Sequence, residues 1–269
     1  MIIDGRTLAK EILARAKTRA ETLRRRPNLL VYVAPDETPA TRSFLKIKAR
    51  SAEAAGCDFE ETRSLTISSR ADAVIVQLPL PDEINTADVL NSIPTQQDAD
   101  VLSRAARAKF ENGDANALLP PVVGAVREIF VHNKIDAKGK KAVVIGNGWL
   151  VGNPCAKWLM QQGAEVSVVI NPSEFAVARA TLATADIIVS GAGSPHLIKP
   201  DMLKQGVVFI DAGTSESNGE VVGDADPLCA DKCSVFTPVP GGVGPLAVAC
   251  LFENVVMLAE QKNSSILSS

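Results

Sequence analysis

Short apolar runs alternate with stretches of helical periodicity along most of the chain. Five helical stretches are predicted, two of them opening at Asp4 and at Thr38-Pro39: residues 4–23, 38–55, 118–133, 153–163 and 246–260. Seven apolar runs have strand length: residues 29–34, 59–65, 73–77, 142–145, 164–170, 185–190 and 207–211. This alternation predicts an α/β fold built on parallel sheets.

A glycine-rich turn, residues 146–152 (G-N-G-W-L-V-G), follows the run at 142–145 directly. Asn153 and Pro154 are then expected to be the N-cap and first-turn proline of the next helix. A buried strand, a glycine turn and a helix N-terminus together form an anion site, because the unpaired amides and the positive end of the helix dipole face the same point. The spacing G-x-G-x-x-x-G alone fits a dinucleotide site and an ordinary turn about equally. The strands and helices that follow favour a Rossmann-type, doubly wound domain.

Composition narrows the classes of function. The chain has 269 residues, which is enough for two modest domains, and its net charge of −3 provides no basic field for nucleic acid. We see no signal peptide and no apolar run of transmembrane length, so we expect a cytoplasmic protein without a membrane partner. Five scattered cysteines fit reduced thiols, and only two histidines argue against a metal site. The chemistry must then rely on lysine, carboxylates, amides or a cofactor.

Four other features could carry chemistry, and each also has an ordinary reading. Lys48 lies four residues after Phe44 on one helix face, Gln77 ends a strand before L-P-L-P, and Asp98 and Asp100 alternate in a loop. Residues 237–245 (T-P-V-P-G-G-V-G-P) form a rigid loop whose backbone a flat ligand could approach. A snorkelling lysine, a solvated strand end, turn-capping aspartates and a linker would explain the same features.

Two of these segments resemble a known family. Residues 76–81 (V-Q-L-P-L-P) and 237–245 are similar to the two signatures of the bacterial-type bifunctional methylenetetrahydrofolate dehydrogenase/cyclohydrolase family. Further matches follow in the same order: Pro39-Ala40 with Lys48, Asp98-x-Asp100, residues 146–154, Asp211-x-Gly213 and Gly223-Asp224.

The resemblance implies an organisation and an activity. It implies an N-terminal α/β folate domain (residues 1–118), a Rossmann-type dinucleotide domain (119–245), and a C-terminal helix and tail (246–269) that return to the first domain. It also implies a homodimer. It implies oxidation of 5,10-methylenetetrahydrofolate with NAD or NADP. Hydrolysis of the methenyl product to 10-formyltetrahydrofolate follows, within one-carbon metabolism and purine biosynthesis.

The resemblance also implies site residues. Lys48 would be the base or proton relay, Gln77 its neutral amide partner, and Asp100 the anchor of the pterin. Folate-binding positions would be Phe44, Val76, Leu78, Pro240, Gly241, Gly242, Val243 and Gly244. Cofactor-binding positions would be Gly146, Asn147, Gly148, Gly152, Asn171, Gly191 and Thr214. A lysine acts as a base only if its pKa is lowered, which burial beside a neutral amide would do.

The chain departs from the family pattern at four places. Phe44 replaces the usual tyrosine, Asp100-Val101-Leu102 replaces D-G-F, and residues 119–124 (L-P-P-V-V-G) replace P-C-T-P-x-G. The segment between the runs at 59–65 and 73–77 is too short for the helix of a parallel crossover. We expect the first domain to be trimmed there or its strands to pair differently. A relative with one activity, or a non-catalytic folate- and dinucleotide-binding protein, is the alternative. An unrelated NAD-dependent dehydrogenase fits the Rossmann half alone.

The expected cofactor depends on two side chains that the sequence lacks. No arginine follows Gly146 to hold the 2′-phosphate of NADP, since Asn147 and Gly148 come next. No acidic residue ends the second Rossmann strand, which is followed by Asn171, to bind the ribose hydroxyls of NAD. We expect NAD or NADP, with NAD slightly favoured.

Overall fold

The computed structural model describes residues 1–35, 37–64, 70–170, 175–217 and 219–267, with backbone alone at 175–178 and 265–267. The chain forms two compact units. The large-sheet unit contains Met1–Leu8 and Val122–Ala247, and the small-sheet unit contains Ala9–Pro121 and Val248–Ser269.

The helices and strands are as follows. The helices are α1 Gly5–Ala20, α2 Pro39–Ala54, α3 Thr86–Asn91, α4 Arg104–Glu111, α5 Pro121–His132, α6 Gly152–Gln161, α7 Phe175–Leu182 and α8 Val243–Leu267. The strands are β1 Asn28–Tyr32, β2 Asp58–Thr62, β3 Ala73–Val76, β4 Lys141–Ile145, β5 Glu165–Val169, β6 Ile187–Ser190, β7 Val207–Asp211, β8 Ser215–Ser217, β9 Glu220–Val222 and β10 Cys233–Phe236. The predicted α/β fold with parallel sheets is therefore confirmed.

The small-sheet unit has a three-stranded sheet of order β2-β1-β3, in which both outer strands run parallel to β1. The expected trimming is found with the parallel pairing kept, because only residues 63–72 join β2 to β3. In its described part, residues 63–64 and 70–72, this connection contains no helix. Ten extended residues reach roughly 33 Å, which exceeds the length of a five-residue strand, so a helix is not needed to make the crossover.

The C-terminal part of α8 belongs to the small-sheet unit, as expected. Arg15 pairs with Glu253 at 3.1 Å, and both nitrogens of the Arg19 fork donate to Glu260. The buried Asn254 amide donates to the carbonyls of Ala99 and Leu119, both at 2.9 Å. These bonds attach the end of the chain to segments more than a hundred residues earlier.

Helix α8 corrects one expectation about length. The sequence shows no obvious transmembrane run, yet Val243–Ser264 is long and apolar enough to span a bilayer by length and composition. An 18-residue window of this stretch is 61% buried inside the protein, as expected for a core helix.

The large-sheet unit has a parallel five-stranded sheet of order β10-β7-β6-β4-β5. From β4 the chain runs outward to β5 and then returns to β6 on the opposite side, so the strand order reverses between β4 and β6. Ligands of such doubly wound sheets bind at the carboxyl ends of the strands beside this switch point. The first residues of the chain extend the far edge, since Ile3 donates to Phe236 and Phe236 donates to Met1.

Candidate active site

Lys48 and Gln77 lie together in the small-sheet unit. Lys48 Nζ donates to Gln77 Oε1 at 2.8 Å, and Gln77 Nε2 donates to the carbonyl of Leu78 at 2.7 Å. The backbone N–H of Gln77 donates to the backbone carbonyl of Tyr32 at the end of β1, which fixes the Gln77 backbone just beyond β3. The partner of the lysine is therefore a neutral amide whose own orientation is set by a second hydrogen bond.

Burial perturbs both charged groups of this cluster. It lowers the pKa of the Lys48 ammonium, and the negative charge of Asp100 opposes part of that shift. Burial also raises the pKa of Asp100 to about 6, with Lys48 and Arg107 opposing the rise and Asp98 adding to it. The cluster thus combines an amine that loses its proton more readily than usual with a carboxyl that keeps its proton longer than usual.

The loop that carries Asp100 is ordered by its neighbour Asp98. The buried Asp98 carboxylate accepts hydrogen bonds from the amides of Leu102 and Ser103, at 3.3 and 2.8 Å. Val101 has a φ of 55°, a left-handed conformation that is strained for a β-branched residue. The family pattern has D-G-F at residues 100–102. A glycine at position 101 would adopt the left-handed conformation without that strain.

The other expected folate positions of the small-sheet unit differ in exposure. Phe44 is 56% exposed and lies one helical turn before Lys48, so its ring is accessible to a flat ligand. Val76 is 3% exposed and packs in the core beneath the sheet. Its contact with a folate would have to involve the backbone, whereas Leu78 is partly exposed.

The glycine turn of the large-sheet unit lies at the switch point. A Cβ on Gly146 would be 2.6 Å from the carbonyl oxygen of Gly191, and one on Gly152 would overlap the carbonyl of Gly146. A Cβ on Gly191 would overlap the Val151 side chain. The turns that follow β4 and β6 therefore pack at a distance that only glycine permits.

The start of α6 corrects one prediction. Asn153 is not the N-cap, because α6 begins at Gly152 and its cap residue, Val151, makes no side-chain hydrogen bond. The helix starts earlier because the Asn153 amide donates to Gly148, 3.1 Å away, which closes the preceding turn. Because no side chain caps this end of α6, the positive end of its dipole stays open to an anion.

The remaining cofactor positions are placed as follows. Asn147, Gly148 and Thr214 are exposed, while Gly191 is partly exposed beside the turn. Asn171 lies outside the described residues. Within the described part of the chain, no group of three or more His, Cys, Asp or Glu side chains could hold a metal ion, and all five cysteines are free thiols.

The proline- and glycine-rich loop, residues 237–245, is rigid in the large-sheet unit. Gly242 donates to Pro238 at 2.8 Å, and a Cβ on Gly242 would be 2.6 Å from the same carbonyl oxygen. Pro240 and Gly244 are exposed, whereas Gly242 and Val243 are buried. The loop therefore presents little side chain to its surroundings.

Comparisons with known proteins match both halves of the chain to one family. Residues 3–100 match the family described as tetrahydrofolate dehydrogenase/cyclohydrolase, catalytic domain, and residues 120–263 match tetrahydrofolate dehydrogenase/cyclohydrolase, NAD(P)-binding domain. The bifunctional protein FolD of Hydrogenobaculum sp. is 34% identical over 278 residues, covering 97% of this chain and 99% of that protein.

Solved structures agree with these matches. The bifunctional FolD enzyme from Campylobacter jejuni superposes with a TM-score of 0.90 at 30% identity, over 97% of this chain and 99% of that one. The Trypanosoma brucei FolD, complexed with NADP and an inhibitor, has a TM-score of 0.91 at 27% identity, over 97% and 98%. The chain therefore belongs to the tetrahydrofolate dehydrogenase/cyclohydrolase family.

Proposed function

We propose that this protein oxidises 5,10-methylenetetrahydrofolate to the methenyl compound with NAD or NADP, and then hydrolyses that product to 10-formyltetrahydrofolate. The observation that supports this most directly is the hydrogen bond from the partly buried Lys48 to a neutral amide, Gln77. Membership of the dehydrogenase/cyclohydrolase family supports both reactions.

Lys48 is the proposed proton relay of the hydrolysis. Addition of water to the methenyl carbon requires removal of a proton, and an amine does this only in its neutral form. Burial favours that form of Lys48, and the cationic methenyl substrate would favour it further by charge repulsion. Gln77 accepts from the lysine without adding the negative charge that would stabilise the ammonium.

Asp100 is the proposed anchor of the folate. Its ionised oxygens would accept two hydrogen bonds from the amino-pyrimidine edge of the pterin. Phe44 would cover one face of the folate ring system. On the family resemblance, residues 240–244 are further proposed folate contacts, and Pro240 and Gly244 are the exposed ones among them.

The large-sheet unit is proposed to bind the dinucleotide. The residues fit such a group, because Gly148 leaves open space in the turn before α6 and no side chain caps the start of that helix. A bound dinucleotide supplies the hydride acceptor. The protein supplies orientation, holding the ring and the folate carbon in a reactive geometry. Proposed contacts come from Gly146, Asn147, Gly148, Gly152, Asn171, Gly191 and Thr214.

Four finer properties belong to the same proposal: cofactor preference, location, oligomeric state and metabolic role. NAD is slightly favoured over NADP, because exposed Asn147 offers no cationic fork to a 2′-phosphate. The Trypanosoma brucei relative is solved with NADP. If the two proteins differ in cofactor preference, we propose that residues of the turn after β4 cause that difference. A cytoplasmic homodimer that serves one-carbon metabolism and purine biosynthesis is also proposed, on the family resemblance.

A single assay tests the function. Purified protein is given 5,10-methylenetetrahydrofolate with NAD or with NADP, and the reduced cofactor and the methenyl product are followed separately. We expect cofactor reduction without build-up of the methenyl compound. Absence of reduction with either cofactor would eliminate the dehydrogenase activity.

The same assay addresses the second candidate, a relative with a single activity. Phe44 keeps an aromatic surface but lacks the hydroxyl of the family's tyrosine, one turn from Lys48. Build-up of the methenyl compound during cofactor reduction would identify a dehydrogenase with weak hydrolysis. Hydrolysis of added methenyl substrate without any reduction would identify a cyclohydrolase alone.

A further inference from the structure

Two buried aspartates of the large-sheet unit have no role in the function proposed above. Asp211 ends β7 and is 1% exposed, and Asp224 follows β9 and is 0% exposed. A Cβ on Gly213 would overlap the Asp224 carboxylate, and a Cβ on Gly223 would overlap the Asp211 carboxylate. Glycine at both positions therefore allows the two side chains to pack against backbone.

Asp224 holds the turn that follows β6, residues 191–194. Its Oδ2 accepts from the Ser190 hydroxyl at 2.6 Å and from the Ala192 amide at 2.7 Å. Its Oδ1 accepts from the Ser194 amide at 2.8 Å. One carboxylate thus binds three donors spread over five consecutive residues, at the carboxyl end of a strand.

The Asp211 carboxylate in turn binds the backbone around Asp224. It accepts from the amides of Gly213, Asp224 and Ala225, at 3.0, 3.3 and 2.8 Å. The backbone on both sides of Asp224 is therefore fixed, and its side chain is aimed at the turn.

The turn that Asp224 holds, residues 191–194, lies at the switch point of the five-stranded sheet. Ser190 lies opposite Ile145 in the β4–β6 pairing, and the strand order reverses between these two strands. Gly191 packs directly against the glycine turn that follows β4. Residues 191–194 and residues 146–152 therefore lie side by side at the switch point, where ligands of such sheets bind.

We propose that Asp224 is a positioning residue for dinucleotide binding, which acts through Ser190 and the amides of residues 192 and 194. This inference rests on the proposed dinucleotide function. Asp224 does not itself contact the cofactor; it fixes the backbone wall against which the cofactor lies. Loss of its bonds should weaken dinucleotide binding and leave the folate chemistry of the small-sheet unit unchanged.

The substitution Asp224→Asn tests this with little change of shape. The amide has one acceptor oxygen, so in either orientation its NH₂ group faces a backbone N–H, that of Ala192 or of Ser194. Ser190→Ala removes the hydroxyl donor alone. Asp226→Asn is the matched control, because Asp226 lies two residues away, pairs with Lys199 and caps a turn through Leu228, a role that asparagine also fills.

Dinucleotide affinity is measured by calorimetric titration with NAD and with NADP, and hydrolysis of methenyltetrahydrofolate is measured without dinucleotide. For Asp224→Asn we expect the Kd to rise at least tenfold and the kcat/KM of hydrolysis to stay within twofold of the parent protein. A smaller rise in Kd is expected for Ser190→Ala, and no change for Asp226→Asn.

An unchanged Kd in Asp224→Asn would overturn the proposal. So would an equal loss of hydrolysis and affinity, since that indicates a role in folding only. If Asp224→Asn does not fold, Ser190→Ala is the test variant instead, and an unchanged dinucleotide Kd in Ser190→Ala would then overturn the proposal. A parent protein that binds neither dinucleotide would instead refute the proposed function, which is a separate result.

Discussion

The candidate site of the small-sheet unit is formed by side chains, whereas that of the large-sheet unit is formed by backbone. In the small-sheet unit the site consists of the side chains of Lys48, Gln77 and Asp100, and burial lowers the pKa of the lysine and raises that of the aspartate. In the large-sheet unit the crevice consists of backbone, brought close by glycines at 146, 152 and 191 and held by the Asp224 carboxylate. Acid–base chemistry needs particular functional groups, whereas an anion-binding crevice needs particular backbone geometry.

This difference predicts that the two activities can be separated by mutation. A substitution of a side chain in the small-sheet unit should remove proton transfer and leave dinucleotide affinity intact. A Cβ added in the large-sheet unit should do the reverse. The following predictions test that division.

The largest effect is expected from Lys48→Met. The change keeps an unbranched side chain of similar length and removes the amine, so hydrolysis of the methenyl compound should fall by about 10²–10⁴-fold, the usual contribution of a general acid–base group. Hydrolysis is followed by loss of methenyl absorbance, and dinucleotide affinity by titration.

Lys46→Met is the matched control, because Lys46 is exposed on the same helix. It should hydrolyse the substrate at the parent rate. Hydrolysis that survives in Lys48→Met at the parent rate would show that another group moves the proton.

The reverse separation is expected from Gly152→Ala. The new Cβ would overlap the carbonyl of Gly146, which is backbone and cannot rotate away. We expect destabilisation by about 1–3 kcal/mol, as for overpacking elsewhere. Dinucleotide affinity should fall at least tenfold, while methenyl hydrolysis should persist.

Gly148→Ala is the control for stability, because a Cβ there would meet nothing within 4 Å. Its thermal midpoint should match that of the parent protein. Parent-like dinucleotide affinity in Gly152→Ala would show that the close approach of the two turns is not required for binding.

Local sequence signals predicted the parts of the fold that depend on them. Asp4 accepts from the amides of Arg6 and Thr7 at the start of α1, and Thr38 accepts from Thr41 at the start of α2. Both helices therefore begin where a capping residue predicted them. The glycine turn after β4 was equally visible, since a strand, glycines and a helix are adjacent in the sequence.

Features that depend on distant parts of the chain were missed. Helix α4 has a polar sequence, and its Arg107 is 1% exposed, against the usual preference of arginine for the surface. Strand β10 has four residues and forms by pairing with β7. The resemblance placed Lys48 with Gln77, but the orientation of Asp224 depends on bonds to residues some thirty positions earlier, which no local pattern reveals.

A change of pH should affect the small-sheet site through Asp100. Its pKa is raised to about 6, so the carboxylate is ionised above that pH and protonated below it. If only the ionised form anchors the pterin, the KM for methylenetetrahydrofolate should rise about tenfold between pH 7 and pH 5, following the ionised fraction.

Asp100→Asn provides the comparison, because it cannot ionise. Its KM should be high and should lack this component of the pH dependence. A parent KM that stays constant from pH 7 to pH 5 would remove Asp100 as the ionised anchor. Dinucleotide affinity measured over the same range separates this effect from changes in the crevice.

The smallest effect is expected from Asn147→Arg, which adds a functional side chain to a crevice made of backbone. Asn147 is exposed in the turn that follows β4, so an arginine there would extend toward the proposed dinucleotide without displacing other groups. The ratio of kcat/KM for NADP to that for NAD should rise by about three- to tenfold, since an exposed charge pair contributes little. The rise should shrink at high salt, because exposed charges are screened. Asn147→Gln, which extends the side chain without charge, should leave the ratio unchanged. If arginine and glutamine had the same effect, cofactor choice would be set by the geometry of the turn and not by the charge at position 147.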